Sequence, residues 1–300
     1  MRENIPCTLC GGHTEYRVRY PERVPETEGN VVDLSDRRMP RKIHFRIVEC
    51  KACGLIYSNP IFPASTIIRS YLENVYVEKD VQLANMAEDY LTELKRLEPL
   101  LPRKEDLLEI GCANGFFLRR AKEVGFKRVW GVEVGKQAVS KAHPDVRDSI
   151  INDVFSKKLF KKESFDVVCL LQILDHVLDP RSFLEDVRYV LRKGGFILAV
   201  NHNVRSLLTR ILGENSPMFD IAHIYLFDKT RMRKLLERYG FEVLYVRSLW
   251  NRYSFEHCLK MFPLPGSFKS PLTDFSRRLG LAEKTLKVMA GNMVSVARKV

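Results

Sequence analysis

The sequence predicts an α/β protein built on a doubly wound parallel sheet, with a small metal-binding module ahead of it. Three observations carry this. An apolar run, Leu107-Leu108-Glu109-Ile110, enters a glycine-containing turn, Gly111-Cys112-Ala113-Asn114-Gly115, and a helix opens at Phe116. Apolar runs and helical segments then alternate to about residue 249, the pattern of parallel strands covered on both faces. Two Cys-x2-Cys pairs, Cys7/Cys10 and Cys50/Cys53, precede this alternation.

In chain order, residues 1–60 form the module. Four thiolates in two such knuckles are what a closed tetrahedral zinc site needs. The first residues lack an apolar signal core and no run approaches the length of a membrane span, which predicts a cytoplasmic chain with reduced thiols. Zinc held by four side chains has no open position, so its expected role is to staple a segment too small to make its own core. His13 and His44 lie between the knuckles, where either can replace a cysteine, but both are expected at the surface. Residues 61–104 read as a helical connector. Val81, Met86, Tyr90, Leu94, Leu97 and Leu101 recur at helical spacing, predicting a helix that packs on the sheet and closes over a ligand.

Gly111 and Gly115 stand where the backbone must turn sharply and pass close to a ligand, which a residue without a Cβ does most cheaply. A dinucleotide fingerprint would place a third glycine where Phe116 stands, so NAD is disfavoured. The next strand, Arg128 to Val134, ends in Glu133, a carboxylate suited to both ribose hydroxyls of a nucleotide held at the first turn. Ile150-Ile151-Asn152-Asp153 ends a third strand, with Asp153 placed for an adenine amino group. Ser164 to Leu171 is a continuous apolar run expected of a central strand. A helix from about Arg181 to Leu191, a strand over Phe196 to Val200, a helix over Lys229 to Tyr239, a strand over Phe241 to Val246 and a closing strand over Asn292 to Arg298 follow.

Glu109-x-Gly111-x-Ala113-x-Gly115, Phe165-Asp166-Val167-Val168, Asp175-His176-Val177-x-Asp179-Pro180 and Leu191-Arg192-Lys193-Gly194-Gly195 occur in the order found in class I S-adenosylmethionine-dependent methyltransferases, which this chain resembles from residue 105 to 249. The resemblance implies a seven-stranded Rossmann-like sheet over residues 105–300, its last strand antiparallel beside the fifth. It also implies acceptor-side insertions near 201–228 and 250–288. Glu109, Gly111, Cys112, Ala113, Gly115, Glu133, Val134, Asp153 and Leu171 are the implied S-adenosylmethionine contacts. Ala113 replaces the usual middle glycine, a departure that requires only a negative φ there. Cys-x-x-Cys-Gly-Leu-Ile-Tyr-Ser-Asn-Pro at residues 50–60 is similar to a zinc-ribbon subgroup of the same family, whose members often modify sugars or other small metabolites.

A sulfonium methyl is already electrophilic, so the protein must mainly align donor and acceptor and accept a proton where the acceptor carries one. Asp175, His176 and His223 are the candidate catalytic residues, with His202 a further candidate base. Quinone-biosynthetic O-methyltransferases use a Glu-x-x-Glu-His cluster for a divalent cation. This chain reads Gln172-Ile173-Leu174-Asp175-His176, and the missing first carboxylate argues against that metal.

Cys112, Cys169 and Cys258 read as buried small hydrophobes. The formal charge of +12 is concentrated late in the chain: residues 201–300 carry 17 Lys and Arg against 8 Asp and Glu, while residues 1–60 carry 10 against 8. This favours anionic partners, among them a phosphate-bearing or lipid-linked acceptor. The balanced charge of residues 1–60 disfavours a nucleic-acid grip by the zinc module. The sequence therefore predicts methyl transfer to a small metabolite of the sugar, nucleotide-sugar or glycan kind, more often at oxygen. An RNA methyltransferase and a non-catalytic zinc-stapled scaffold remain as alternatives.

Overall fold

In the computed structural model, residues 2–12, 15–24, 43–73, 80–261 and 266–300 are described. Strands β1 (Tyr16–Tyr20), β2 (Ile47–Cys50) and β3 (Ile56–Ser58) belong to the N-terminal module. Helices α1 (Ala64–Glu73) and α2 (Asp80–Leu97) lead to β4 (Asp106–Ile110), α3 (Phe116–Glu123) and β5 (Arg128–Val132). Short helices α4 (Lys136–Ser140) and α5 (Pro144–Arg147) precede β6 (Ile150–Ile151), β7 (Phe165–Leu171), α6 (Pro180–Val190) and β8 (Leu191–His202). Helix α7 (Leu207–Leu212), β9 (Tyr225–Leu226), α8 (Lys229–Arg238) and β10 (Phe241–Ser248) follow. The chain closes with β11 (Asn251–Ser254), α9 (Phe255–Met261), α10 (Gly266–Arg278), β12 (Thr285–Val288) and β13 (Asn292–Lys299).

The main sheet has seven strands in the order β10-β13-β8-β7-β4-β5-β6. The four pairings among β4 to β8 are parallel, whereas β13 runs antiparallel between β8 and β10. Side chains alternate across it with period two. Leu107, Val167, Cys169, Leu198 and Val296 face one core with Leu94 and Leu97 of α2 and Phe117 and Leu118 of α3. Leu108, Val168, Leu170, Ile197 and Ala297 face the other, covered by Leu184 and Val187 of α6 and Leu235 and Leu236 of α8. In α2 the expected stripe holds at Tyr90, Leu94 and Leu97, but Val81 is exposed, while its neighbours Gln82 and Leu83 are buried.

At the amino ends of the strands, acidic side chains are stapled by arginines. Asp106 takes two bonds from Arg128 (2.6 and 2.7 Å) and one from Arg192 (2.9 Å). Asp166 accepts from Arg103, from Arg192 and from the backbone N–H groups of Glu105 and Asp106. This network joins four adjacent strands and gives Arg192 of the Leu-Arg-Lys-Gly-Gly segment a structural reason.

The module does not stand apart from the rest. Its strands form a second sheet in the order β1-β2-β3-β9, whose last strand comes from the segment between β8 and α8. Phe45, Val48, Leu55 and Tyr57 share one core with Ile224, Phe227 and Met232. His44, expected at the surface, is fully buried: its Nδ1 sits 2.7 Å from the Phe45 carbonyl and its Nε2 is 3.3 Å from Glu214. His13 lies outside the described residues.

Candidate functional site

A cavity of about 820 Å³ opens over the carboxyl ends of β4, β5 and β7 and continues past β8. Glu109, Gly111, Ala113, Glu133, Val134, Asp153 and Leu171 line its first lobe. His176, His202, His223, Met218, Arg252 and Asn292 are among the residues lining the second. Met86 and Tyr90 of α2 and Tyr71 of α1 border it as well.

The first lobe is built for a nucleotide-like ligand. Gly111 has φ +75°, and a Cβ there would come within 2.8 Å of the Ile173 side chain. Gly115 has φ +73°, and a Cβ would meet Val146 and Ile150 at 2.9 and 3.0 Å. Ala113 does not have the negative φ expected of it: it stands at +51°. The cause is Glu133, whose Oε2 accepts the Ala113 N–H at 2.9 Å while its Oε1 accepts the Gly135 N–H at 2.7 Å. The carboxylate joins two loops, and a left-handed Ala113 points its amide at it. Cys112 does not face the cavity, since its side chain is fully buried and fills the space above Gly131. Gly115 also lies outside the lining, at the start of α3.

Glu109 is buried on β4, and its Oε2 has no hydrogen-bond partner. Burial first, and then the Glu133 carboxylate, holds its carboxyl well above the usual range, favouring a protonated group able to donate. An unsatisfied buried polar atom of this kind is costly unless a ligand meets it. The glycine cradle, the strand-end Glu133 and this orphan together fit S-adenosylmethionine.

In the second lobe a carboxylate gathers three histidines. Asp175, in the turn after β7, is buried and lies with its Oδ2 2.7 Å from His202 Nδ1 and its Oδ1 3.3 Å from Asn201 Nδ2. His176 Nε2 is 3.8 Å from Asp175 Oδ1, and the His223 ring lies 4.9 Å from that of His176 and 4.8 Å from that of His202. Burial opposes ionisation of Asp175, but His176, His202 and His223 outweigh it and hold the carboxyl far below the usual range. His223 is fully enclosed; burial and then His202 lower its pKa, favouring the neutral ring. Its Nδ1 is 2.8 Å from the Met218 carbonyl, which can only accept, so the proton sits on Nδ1 and Nε2 carries the lone pair. By the same argument His176 donates from Nδ1 to the Ala222 carbonyl at 2.9 Å.

His202, a further candidate base in the sequence, is brought to Asp175 because it ends β8 beside the turn that follows β7. Gln172, at the head of that turn, has φ +59° and a buried Oε1 without a partner, a strained residue on the cavity wall. Cys258, expected to be a buried hydrophobe, is only partly buried and lines the cavity, whereas Cys169 is fully enclosed.

The N-terminal sheet fixes this cluster. Ser58 donates its Oγ to the His223 carbonyl and its N–H to the Ile224 carbonyl, both at 2.8 Å. The Ile224 N–H in turn reaches the Asp175 carbonyl at 2.7 Å. Asp228 caps α8 by accepting the Arg231 N–H.

The four knuckle sulfurs lie within 4.8 Å of one another, Cys7 to Cys53 at 3.5 Å and Cys10 to Cys50 at 3.7 Å. A tetrahedral zinc with bonds of about 2.3 Å separates its sulfurs by about 3.8 Å, so the set fits that ion. Burial, ahead of the neighbouring thiols, raises Cys10 to about 11 and raises Cys7 as well. The loops carrying them are tied to α8, with Arg231 donating to the Cys53 carbonyl and Arg238 to the Leu9 carbonyl.

A mixed seven-stranded sheet with a ligand cleft over the carboxyl ends of its parallel strands, a glycine turn after the first and a carboxylate ending the second defines a doubly wound nucleotide-binding fold. Residues 83–246, more than half of the chain, match the family model described as "Methyltransferase domain". The chain belongs to that family.

It is similar to the mitochondrial ubiquinone biosynthesis O-methyltransferase of Dictyostelium discoideum, 25% identical over 125 residues, covering 36% of this chain and 39% of the relative. The ubiquinone biosynthesis O-methyltransferase of Aeromonas salmonicida is 27% identical over 115 residues, covering 36% of this chain and 48% of that protein. The chain thus spans less than half the length of these curated relatives. A crystal structure of a SAM-dependent methyltransferase from Archaeoglobus fulgidus aligns with a TM-score of 0.49 at 16% identity, covering 79% of this chain and 100% of that one.

Proposed function

We propose that this chain transfers a methyl group from S-adenosylmethionine to a hydroxyl oxygen of a small metabolite, with His202 as the base that accepts the hydroxyl proton. The 2.7 Å contact between His202 Nδ1 and Asp175, inside the cavity that also holds Glu109 and Glu133, carries this reading. When bound, S-adenosylmethionine supplies an electrophilic methyl carbon on a cationic sulfur. Glu133 would hold the ribose hydroxyls, giving up its bonds to Ala113 and Gly135. Gly111 and Ala113 would line the turn beside the cofactor, and Asp153 would meet the adenine.

Asp175 is a positioning residue. Ionised and buried, it keeps the His202 proton on Nδ1 and leaves Nε2 as the acceptor. On methyl transfer the acceptor's hydroxyl proton would pass to His202 Nε2, and the resulting cation would rest against the Asp175 carboxylate. His176 and His223, with their Nδ1 protons held by backbone carbonyls, would orient the acceptor hydroxyl.

Leu208, Leu212, Pro217, Met218 and Val288 give the second lobe an apolar wall, while Arg252 and Asn292 give it polar contacts. A sugar-type acceptor carrying an apolar portion fits both. A zinc ion in the Cys7, Cys10, Cys50 and Cys53 set would hold the knuckles that brace β3, and through β3 the His223 segment. Among the described residues of the module, Arg17 and Arg19 pair with Glu49 and Arg23 with Glu214, which weighs against the nucleic-acid alternative.

The test is methyl-labelled S-adenosylmethionine incubated with the zinc-loaded chain and a host extract split into small-molecule, lipid, RNA and protein fractions, with Gly111→Arg as the blank. Label in the small-molecule or lipid fraction, lost in His202→Gln, is the expected result. Label confined to RNA, or none in any fraction, contradicts the proposal.

A further inference from the structure

We propose that the rim of the second lobe docks on an anionic lipid bilayer. The rim carries apolar side chains that the fold leaves uncovered. Helix α7 is apolar on two sides: Leu208 and Leu212 line the cavity, while Leu207 and Ile211 are 75% and 71% exposed. Across the opening, Met289 lines the cavity yet is 56% exposed.

Helix α10 packs on α9, whose His257 and Cys258 also line the cavity. Its outer face is inverted relative to an ordinary surface helix. Leu272, Phe275 and Leu279 fall at the i, i+3, i+7 spacing of one helix face and are 42%, 60% and 55% exposed, while Thr273 and Ser276 are buried. Ser276 satisfies its hydroxyl on the Thr273 carbonyl within the helix. Exposed apolar surface on α7 and at Met289, and a further apolar stripe on α10, which packs on the cavity-lining α9, mark an interaction site.

Charge selects the occupant. Arg210 of α7, Arg278 of α10 and Lys284 and Lys287 beside and on β12 are exposed. Against them stand Asp274 and Glu256, both paired with Arg277, and Glu283, exposed beside Lys284, so that cations remain in excess. Exposed leucine, isoleucine and phenylalanine flanked by cations is the chemistry of a helix lying in the headgroup region of an anionic leaflet. A second copy of the chain would bring the same cations against each other. Among the described residues no helix is long and apolar enough to cross a membrane, so attachment would be peripheral. The consequence, an amphiphilic acceptor entering the second lobe from the bilayer, rests on the methyl-transfer reading above; the docking itself does not.

Vesicle sedimentation tests it with the full chain and no substrate. Phosphatidylcholine–phosphatidylglycerol vesicles are expected to carry the chain down, and pure phosphatidylcholine vesicles much less. Leu207→Glu/Ile211→Glu and Phe275→Glu/Leu279→Glu are each expected to lower the bound-to-free ratio about tenfold. All four side chains are more than half exposed, so far-UV circular dichroism should match the parent. Retention of S-adenosylmethionine binding by both variants separates loss of docking from any failure of the methyl-transfer reading. The proposal is overturned if the parent chain stays in solution with both vesicles, or if both variants sediment as it does. A dimer that Leu207→Glu/Ile211→Glu dissociates, without vesicle binding, overturns it in favour of a second copy.

Discussion

His202 and Asp175 meet at 2.7 Å although one ends β8 and the other lies in the turn after β7. Adjacent parallel strands deliver them to the same edge of the sheet, and burial keeps water from weakening the contact. His202→Gln is expected to lower kcat by about a hundredfold or more, with the KM for S-adenosylmethionine little changed. Asp175→Asn keeps the shape but loses the charge that fixes the His202 tautomer, and is expected to lower kcat with the KM for S-adenosylmethionine little changed. An unchanged kcat in Asp175→Asn would remove Asp175 from the mechanism.

Ala113 sits at φ +51° so that its amide can reach Glu133. A left-handed non-glycine residue costs about 1 kcal/mol, while glycine loses somewhat less than that in chain entropy. Ala113→Gly should therefore be neutral or stabilising, by at most about 1 kcal/mol, in a denaturant titration. Ala113→Val, with a branched Cβ in the same conformation, should destabilise the chain and weaken cofactor binding.

The arginine staple at the strand starts governs acid stability. Burial opposes ionisation of Asp106, but Arg128 and Arg192 outweigh it and leave its folded pKa below the ordinary value. A carboxyl lowered on folding stabilises the protein above its unfolded pKa of about 3.9, and that stability is lost as pH falls through the folded value. Arg192→Ala leaves Asp106 and Asp166 each short of a partner and should cost about 3 kcal/mol at neutral pH. The difference from the parent should shrink as the pH is lowered past the carboxylate range.

Cys10→Ser removes one knuckle ligand. One zinc per chain is expected in the parent by elemental analysis and a reduced content in the variant, with a lower Tm. Because β3 holds the His223 segment, methyl transfer should fall in Cys10→Ser while the cofactor affinity stays near that of the parent. Equal loss of both would place the module's influence on the whole fold rather than on the acceptor side.

The sequence made the frame of the main sheet readable, because β4, β7 and β8 carry apolar runs and the turns carry their own chemistry: Gly111 and Gly115 after β4, Glu133 after β5, Asp179 ahead of α6. What it left unread depends on contacts between distant residues. The positive φ of Ala113 follows from a carboxylate twenty positions away, and the burial of His44 from packing under Glu214. The pairing of β9 with β3 brings Tyr225 and Leu226, two residues with no strand signal of their own, into the module's sheet. His202 drew notice only as a titratable residue at a strand end, since nothing local to it announces Asp175. The outward stripe of α10 is visible in the spacing of Leu272, Phe275 and Leu279, but only the fold says which way it faces.

The most direct measurement is calorimetric titration of S-adenosylmethionine into the parent chain, Glu133→Ala and Gly111→Arg. The parent should bind one equivalent, Glu133→Ala should bind at least about tenfold more weakly through loss of a charge-assisted hydrogen-bond acceptor, and Gly111→Arg should not bind. Failure of the folded parent to bind, or binding by Glu133→Ala equal to the parent's, would contradict the assignment of the first lobe as the cofactor site.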